Sequence, residues 1–471
     1  MADIPQNPPD SRNELVNEAT PLVSHQNGVY DRFSRKQKRN IVAMVACCGI
    51  IPFFVAGTFI PSIPQVAKDL DTTGAVISFA ISLSVFAASV GSLCGSAYST
   101  YYGRRAVYFV GLPLLVVGSF GVAGTHSVPE LMIWRFIQAF GAFPAISVGA
   151  AVVGDIYTVE ERGTAMGIYF SIVLLGPGIS PLIGGFMTHY VSWRAMQALL
   201  GITTTFLLIW VVVALPETSH PGARGVDKAR AEGKKPSWFV NPLRPLALLR
   251  SPNILFVSLA GSFVLLTDFV LMVPIAYTIG ERYGISNEFL IGACFLPSGA
   301  GSMIGAPLAG RLSDRIIIRW RQKRGKWYPE DRLRATLLGA LVFTPLSILF
   351  CGLLTEYVPG TLGLVLNLIC LFFNGIGVDL VLSVSAAYLV DVLQDRSAES
   401  LAASDAFRSF VMSFAISAVL PSIDRYGVAV TDAISAISCW LGCGMIWLVI
   451  IYGEQMRTWC DIGFKVPTEE N

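Results

Sequence analysis

Gly163-Thr-Ala-Met-Gly-Ile-Tyr-Phe-Ser-Ile-Val-Leu-Leu-Gly-Pro-Gly-Ile-Ser-Pro-Leu-Ile-Gly-Gly185 carries no charged side chain. As a helix it is long enough to cross a bilayer core of roughly 30 Å. It holds more glycine than a stable water-exposed helix tolerates, since each costs roughly 1 kcal/mol relative to Ala. In a membrane, small residues let helix backbones approach closely, which offsets that cost. Gly163 and Gly167 stand four apart, as do Gly176 and Ser180, and Ser180 leads through Pro181 to Gly184 and Gly185.

The rest of the chain has the same character. Its 471 residues are 53% hydrophobic and 14% charged, with net charge +2 and mean hydropathy +0.60. A soluble chain is about one-quarter charged, so this is a polytopic membrane protein, and its near-neutral balance says little about partners. The nine Cys form no CxxC and fall in apolar segments or near the C-terminus. They read as packing residues, not as a disulfide frame or metal site.

Residues 1–39 are polar, with Pro5, Pro8, Pro9 and the basic cluster Arg32, Arg35, Lys36, Lys38 and Arg39, and no apolar stretch precedes them. They read as a disordered tail with no cleavable signal peptide. Apolar runs at 41–61, 75–98, 106–124, 131–153, 164–187 and 195–215 predict six spans, forming an N-terminal half over 40–215. A polar linker follows over 216–252. Six further spans are predicted at 254–278, 289–310, 333–354, 361–388, 402–421 and 429–452, forming a C-terminal half over 253–452 with a tail over 453–471. Alternate loops hold Arg104, Arg105 and Arg162, seven Lys or Arg between Arg224 and Arg250, and nine between Arg311 and Arg334; the other loops hold at most one each. The positive-inside rule then places both termini in the cytosol. The linker basics are expected to face solvent and anionic headgroups.

The two halves repeat weakly. Span 4 ends Ala150-Ala151-Val152-Val153-Gly154-Asp155 and span 10 ends Ala386-Ala387-Tyr388-Leu389-Val390-Asp391. On that register Gln138 matches Asn374 and Gly141 matches Gly377, while Gly91 and Thr100 match Gly305 and Asp314.

The spacing Gly167, Gly176, Ser180-Pro181, Gly184-Gly185 resembles the fifth-span motif of drug:proton antiporters in the major facilitator superfamily, with Ser180 where that family has Gly. Gly310-Arg311-Leu312-Ser313-Asp314-Arg315 resembles its 8–9 loop motif. The first copy keeps Gly103-Arg104-Arg105 but has Ser96 for the Gly and Thr100 for the Asp. An Asp-Arg pair at a helix end bonds a neighbouring helix and its terminus and holds one conformation shut. Asp314 and Arg315 are expected to act so, with Asp155, Glu161 and Arg162 compensating in the first half. Arg135-Phe-Ile-Gln138-Ala139-Phe-Gly141 resembles the family's span-4 motif, with Ala139 where Gly is usual. The resemblance implies that Arg135 faces a central cavity and serves proton coupling.

Charges inside spans cost at least ~3 kcal/mol at mid-bilayer unless paired or wetted. Those found are Arg135, Asp268, Asp379 and Arg408, with Asp405 and Asp432 nearer the edges. The four His lie in tails, loops or at a membrane edge. A buried Asp is therefore the candidate proton carrier, Asp268 first and Asp379 next, because burial and a neighbouring Arg push its ionisation in opposite directions. Structural ion pairing is the alternative for all four.

The expected fold is an all-α membrane protein of twelve transmembrane helices in two pseudo-symmetric six-helix halves. The resemblance to fungal twelve-span drug:proton antiporters covers residues 40–452 and includes Pro216-Glu217-Thr218 and Pro329-Glu330-Asp331-Arg332-Leu333. It implies a monomeric, proton-coupled carrier binding a small molecule between its halves near the midplane, with no cofactor, metal or nucleic acid. Two embedded Arg point to export of a small organic acid, for example a dicarboxylate such as itaconate, because guanidinium pairs bidentately with carboxylate. Efflux of cationic or neutral drugs is the alternative, and a non-transporting receptor a remote one. No Ser/His/Asp set or phosphate loop supports an enzyme. The plasma membrane is the expected location, with the vacuolar membrane as alternative.

Overall fold

Prolines and glycines decide where these apolar helices bend. In the span containing Gly163–Gly185, the helix Val159–Val173 gives way at Leu174 to a second segment, Leu175–Tyr190. Pro177 has no N–H to offer Val173, so the ladder breaks there. The computed structural model describes residues 30–459 apart from 31, 158, 234, 236–239, 327 and 394–396. Both predicted tails therefore lie largely outside the described residues, as does the side chain of Arg162.

Among the described residues, twelve helices are long and apolar enough to cross a membrane. The first half comprises α1 Arg35–Asp69, α2 Gly74–Tyr102, α3 Arg104–Ala123, α4 Val128–Ile156, α5 Ala165–Tyr190 and α6 Trp193–Ala214. The second comprises α7 Pro252–Gly280, α8 Glu288–Arg324, α9 Pro329–Tyr357, α10 Gly360–Val392, α11 Glu399–Tyr426 and α12 Val428–Trp459. Each coincides with one predicted span. The largest difference is α8, which runs well beyond residue 310 into the basic loop. No Gly or Pro interrupts the chain between Arg311 and Arg324, and Gly325 ends the helix in the left-handed conformation, φ +71°. Large apolar side chains such as Val213, Phe206 and Leu362 point outward, as a bilayer requires.

Two seams join the halves. Along α2 and α11, Ser89 Oγ donates to Ala406 O at 2.8 Å, Ser82 Oγ contacts Ser413 O, and the Phe86 and Phe410 rings lie 6.1 Å apart. Along α5 and α8 the contact is made by glycine: Gly178 meets Gly299, Gly185 faces Glu288 O, and Gly292 faces Pro181 O. The segment Leu175–Tyr190 packs on α8, whereas Val159–Val173 packs on helices of its own half. Phe59, Ile60 and Ile63 of α1 share a core with Ile275, Ile279, Ile291 and Phe295 of α7 and α8. The bundle is thus closed at the end away from its termini, and the α5–α8 seam loosens toward the terminal end.

Candidate functional site: two buried polar networks

The fifth-span motif serves two neighbours. Gly176, Ser180 and Gly184 face α1, where a Cβ on Gly184 would strike the Thr58 backbone, while Pro181 and Gly185 face α8 across the seam. Gly167 meets nothing within 4 Å, so helix packing does not require glycine there. At the far end of the seam His189 Nδ1 stands 2.7 Å from Glu288 Oε2, an interhelix pair with no signature in the chain.

In the first half, Arg135 of α4 is 0% exposed. Its Nη1 donates to Val55 O at 2.9 Å and to Gln138 Oε1 at 3.0 Å, and its guanidinium lies 4.3 Å from the Phe59 ring centre. Gln138 Nε2 donates onward to Ser119 Oγ (3.0 Å) on α3 and Gln197 Oε1 (2.9 Å) on α6. Arg135 Nε and Nη2 are buried without a partner. The expectation that Arg135 faces the central cavity is corrected: it is sealed among α1, α3, α4 and α6, because Val55 O and Phe59 draw the guanidinium toward α1. It also shares no contact with Asp268, which belongs to the other half.

In the second half, Asp268 of α7 and Asp379 of α10 are partly exposed. Ser298 and Ser302, one turn apart on α8, are their respective hydrogen-bond partners, and the Asp268 charge reaches Asp379. Glycines bring these helices together. Gly301 and Gly305 lie against the α10 backbone from Phe372 to Ile376, Gly375 lies against Ser298 O, and a Cβ on Gly305 would come 3.2 Å from Asp379 Cβ. No ion pair reaches either carboxylate among the described residues. Asn374 Nδ2 donates to Ser347 Oγ (3.2 Å) and Thr267 Oγ1 (3.3 Å). Arg408 of α11 contacts Asp405 one turn away, and its stem lies 3.1 Å from where a Gly261 Cβ would sit.

The repeat is visible in these bonds. Ser119 and Ser347 each lie fifteen residues beyond Arg104 and Arg332, and Gln138 and Asn374 each lie seventeen before Asp155 and Asp391. At the terminal end, Arg104 Nε pairs with Asp155 at 2.9 Å and its Nη1 donates to Ser99 Oγ at 2.7 Å. Arg332 Nε pairs with Asp391 at 2.7 Å and its Nη1 donates to Ser313 Oγ at 3.4 Å. Asp314 is 3.6 Å from Arg332 and 68% exposed, so it is the weaker partner. Arg315 and Glu161 are exposed. Asp314 thus reaches the neighbouring helix α9 as expected, but the shorter contact to the same Arg332 is made by Asp391 of α10, and Arg315 is exposed. Gly310 meets nothing within 4 Å.

Gly103 takes φ +110° and leads into α3, whose first amides need an acceptor. Glu217 supplies it, accepting from Arg104 N (3.0 Å) and Arg105 N (3.3 Å). Burial alone would raise its carboxyl, but the amides of Ser219, Arg104 and Arg105 outweigh that and hold it below the usual carboxylate range. Reading the sequence missed Glu217 as a cap and Arg332 as the partner of Asp391. The repeat carried a signal for Arg332, which occupies the position of Arg104.

Twelve apolar helices among the described residues, in two halves joined around interior polar groups, define a multi-pass membrane protein. The family model of the Major Facilitator Superfamily matches residues 45–416, and the chain belongs to that superfamily. Similar proteins include efflux pump radE of Floropilus chiversii, 28% identical over 88% of this chain and 80% of that one. Citrate exporter 1 of Aspergillus niger is 29% identical over 60% and 58%, and MFS antiporter QDR3 of Candida albicans 20% over 86% and 76%. Among solved structures, the Escherichia coli xylose transporter XylE, in a partially occluded inward-open conformation, superposes with TM-score 0.65 at 15% identity over 88% of this chain and 97% of that one. A bacterial homolog of the human lysosomal transporter Spinster gives 0.66 at 12% over 93% and 100%.

Proposed function

We propose that this chain is a proton-coupled exporter working by alternating access, with both termini in the cytosol, acting as a monomer in the plasma membrane. The observation that carries the reading is the pair Asp268 and Asp379, two embedded carboxylates on α7 and α10 beside Ser298 and Ser302 of α8, with no ion-pair partner among the described residues. Two like charges in that neighbourhood repel at such depth, and protonation of one of them relieves the repulsion. Release of that proton to one side and recapture from the other couples the cycle to the gradient. The closed end away from the termini supports a resting state open toward the cytosol, ready to load cargo for export.

The geometry favours a neutral or cationic amphipathic cargo, since the accessible unpaired charges are carboxylates and Arg135 is sealed. Organic-acid export, of a dicarboxylate such as itaconate, is the second reading. Arg408, partly exposed and with Nε unpartnered, and the similarity to a citrate exporter support it.

The test is pH-gradient-driven efflux from proteoliposomes, with itaconate and a cationic dye as cargoes. Asp268→Asn is expected to abolish gradient-driven efflux while sparing exchange of labelled for unlabelled cargo. Full gradient-driven efflux in that variant places the proton elsewhere. Preferential transport of itaconate by the wild type overturns the cationic reading.

A further inference from the structure

A cavity of about 350 Å³ opens at the terminal end of the first half, where the chain enters α1 beside the start of α3 and the end of α6. Its polar wall is Arg32, Gln37, Asn40 and Arg105, and its apolar wall includes Val213 and Leu215. Neither Arg is paired with a carboxylate among the described residues. Arg32 donates to the carbonyls of Glu217, Thr218 and Ser219 at 3.2–3.4 Å, which orients its fork without neutralising it. Arg105 Nη2 donates to Val212 O at 3.0 Å, its guanidinium lies 4.7 Å from the Phe109 ring centre, and its Nε is buried without a partner. Glu217, whose backbone carbonyl Arg32 bonds, spends its carboxylate on the amides of Arg104, Arg105 and Ser219. Two held guanidiniums, one with an unfilled donor, thus line the cavity.

The surroundings say which anion. Val213 is 81% exposed, Val110 62% and Phe109 39%. These residues of α6 and α3 form the lipid-facing corner directly beside the cavity. An occupant there has an anionic head between the two Arg and an apolar tail along α3 and α6. Guanidinium binds phosphate oxygens bidentately, which suits it to a phosphate ester. We propose that this cavity binds the phosphate headgroup of an anionic phospholipid from the leaflet at the terminal end. Bound there, the lipid ties the entry of α1 to the α3 start that Glu217 caps. The inference rests on the membrane fold and is independent of the cargo.

Native mass spectrometry of the full chain in detergent, titrated with dioleoyl phosphatidylserine or dioleoyl phosphatidylcholine, tests this. The serine lipid is expected to bind about fivefold more tightly than the choline lipid, and Arg32→Gln and Arg105→Gln each to weaken it about fivefold, the effect of one basic residue at a membrane surface. Arg311→Gln, an exposed basic side chain at the same end, is expected to change nothing. Arg105 is packed, whereas Arg32 precedes the first span, so the Arg32 variant decides the matter if the other fails to fold. Equal binding of the two lipids, no loss in Arg32→Gln, or an equal loss in Arg311→Gln overturns the proposal. Displacement of the serine lipid by millimolar inorganic phosphate overturns the lipid assignment in favour of a soluble phosphate.

Discussion

The two halves share a hydrogen-bond scaffold and differ in the sign of the embedded charge carried by its helices. Gln138 bonds Ser119 in the first half, and Asn374 bonds the equivalent Ser347 in the second. Around the first stands one cation, Arg135, with no carboxylate partner. Near the second, on α7 and α10, stand Asp268 and Asp379 with no cation. A guanidinium does not shed its proton under any physiological condition, so its half solvates it permanently, with a carbonyl, an amide oxygen and an aromatic face. A carboxylate, unlike a guanidinium, is neutralised by taking up one proton. The scaffold has therefore been used for a fixed charge on one side and for a titratable one on the other.

The largest expected effect comes from removing the fixed charge. Arg135 has two buried donor atoms unsatisfied, an arrangement that stability alone does not favour, since replacing buried ions by apolar groups is often neutral or stabilising. Arg135→Met is expected to leave the thermal midpoint in detergent within a few degrees of wild type and to lower efflux per folded molecule at least about tenfold, a barrier change of roughly 1.4 kcal/mol. A steep fall in the midpoint with efflux per folded molecule intact would make Arg135 a structural brace and dissolve the contrast.

Much of this was legible in the sequence, for identifiable reasons. Uninterrupted apolar runs and the distribution of Lys and Arg mark the spans, because a bilayer leaves the backbone no other way to satisfy its polar groups. Asp155 and Asp391 were legible as equivalents because the repeat survives around them. Direction was not legible. Sequence places Arg135 one turn inside α4 but does not say whether it points to a central cavity or to Val55 of α1, since that depends on how neighbouring helices rotate. Long-range caps such as Glu217 and the pair His189–Glu288 depend on contacts between helices distant in the chain. Gly167 and Gly310 match motif positions, yet nothing packs on them.

At the terminal end the halves agree in sign, which gives an internal control. Arg104–Asp155 and Arg332–Asp391 are both partly buried, at 12–21% side-chain exposure. Double-mutant cycles with Asp→Asn and Arg→Gln, read as thermal stability, are expected to give coupling energies that match between halves, each up to about 1 kcal/mol. A much larger coupling for Arg332, which also has Asp314 at 3.6 Å, would mean that the complete motif of the second half is the stronger latch.

The smallest effect tests the shared scaffold itself. Ser119→Ala and Ser347→Ala each remove one acceptor from an amide that keeps a second, Gln197 Oε1 for Gln138 and Thr267 Oγ1 for Asn374. Neither variant strands a donor completely, so each is expected to cost no more than about 1 kcal/mol. The two should still differ. Gln138 makes bonds of 2.9 and 3.0 Å and accepts from Arg135, whereas Asn374 makes bonds of 3.2 and 3.3 Å and its Oδ1 has no partner. Bonds in a network that carries a charge are the stronger ones. Ser119→Ala should therefore lower the thermal midpoint more than Ser347→Ala, and the gap should close in an Arg135→Met background, because without the cation Gln138 becomes an ordinary buried amide like Asn374. If Ser347→Ala is the more damaging, or if the gap persists without Arg135, the charge does not organise the first network.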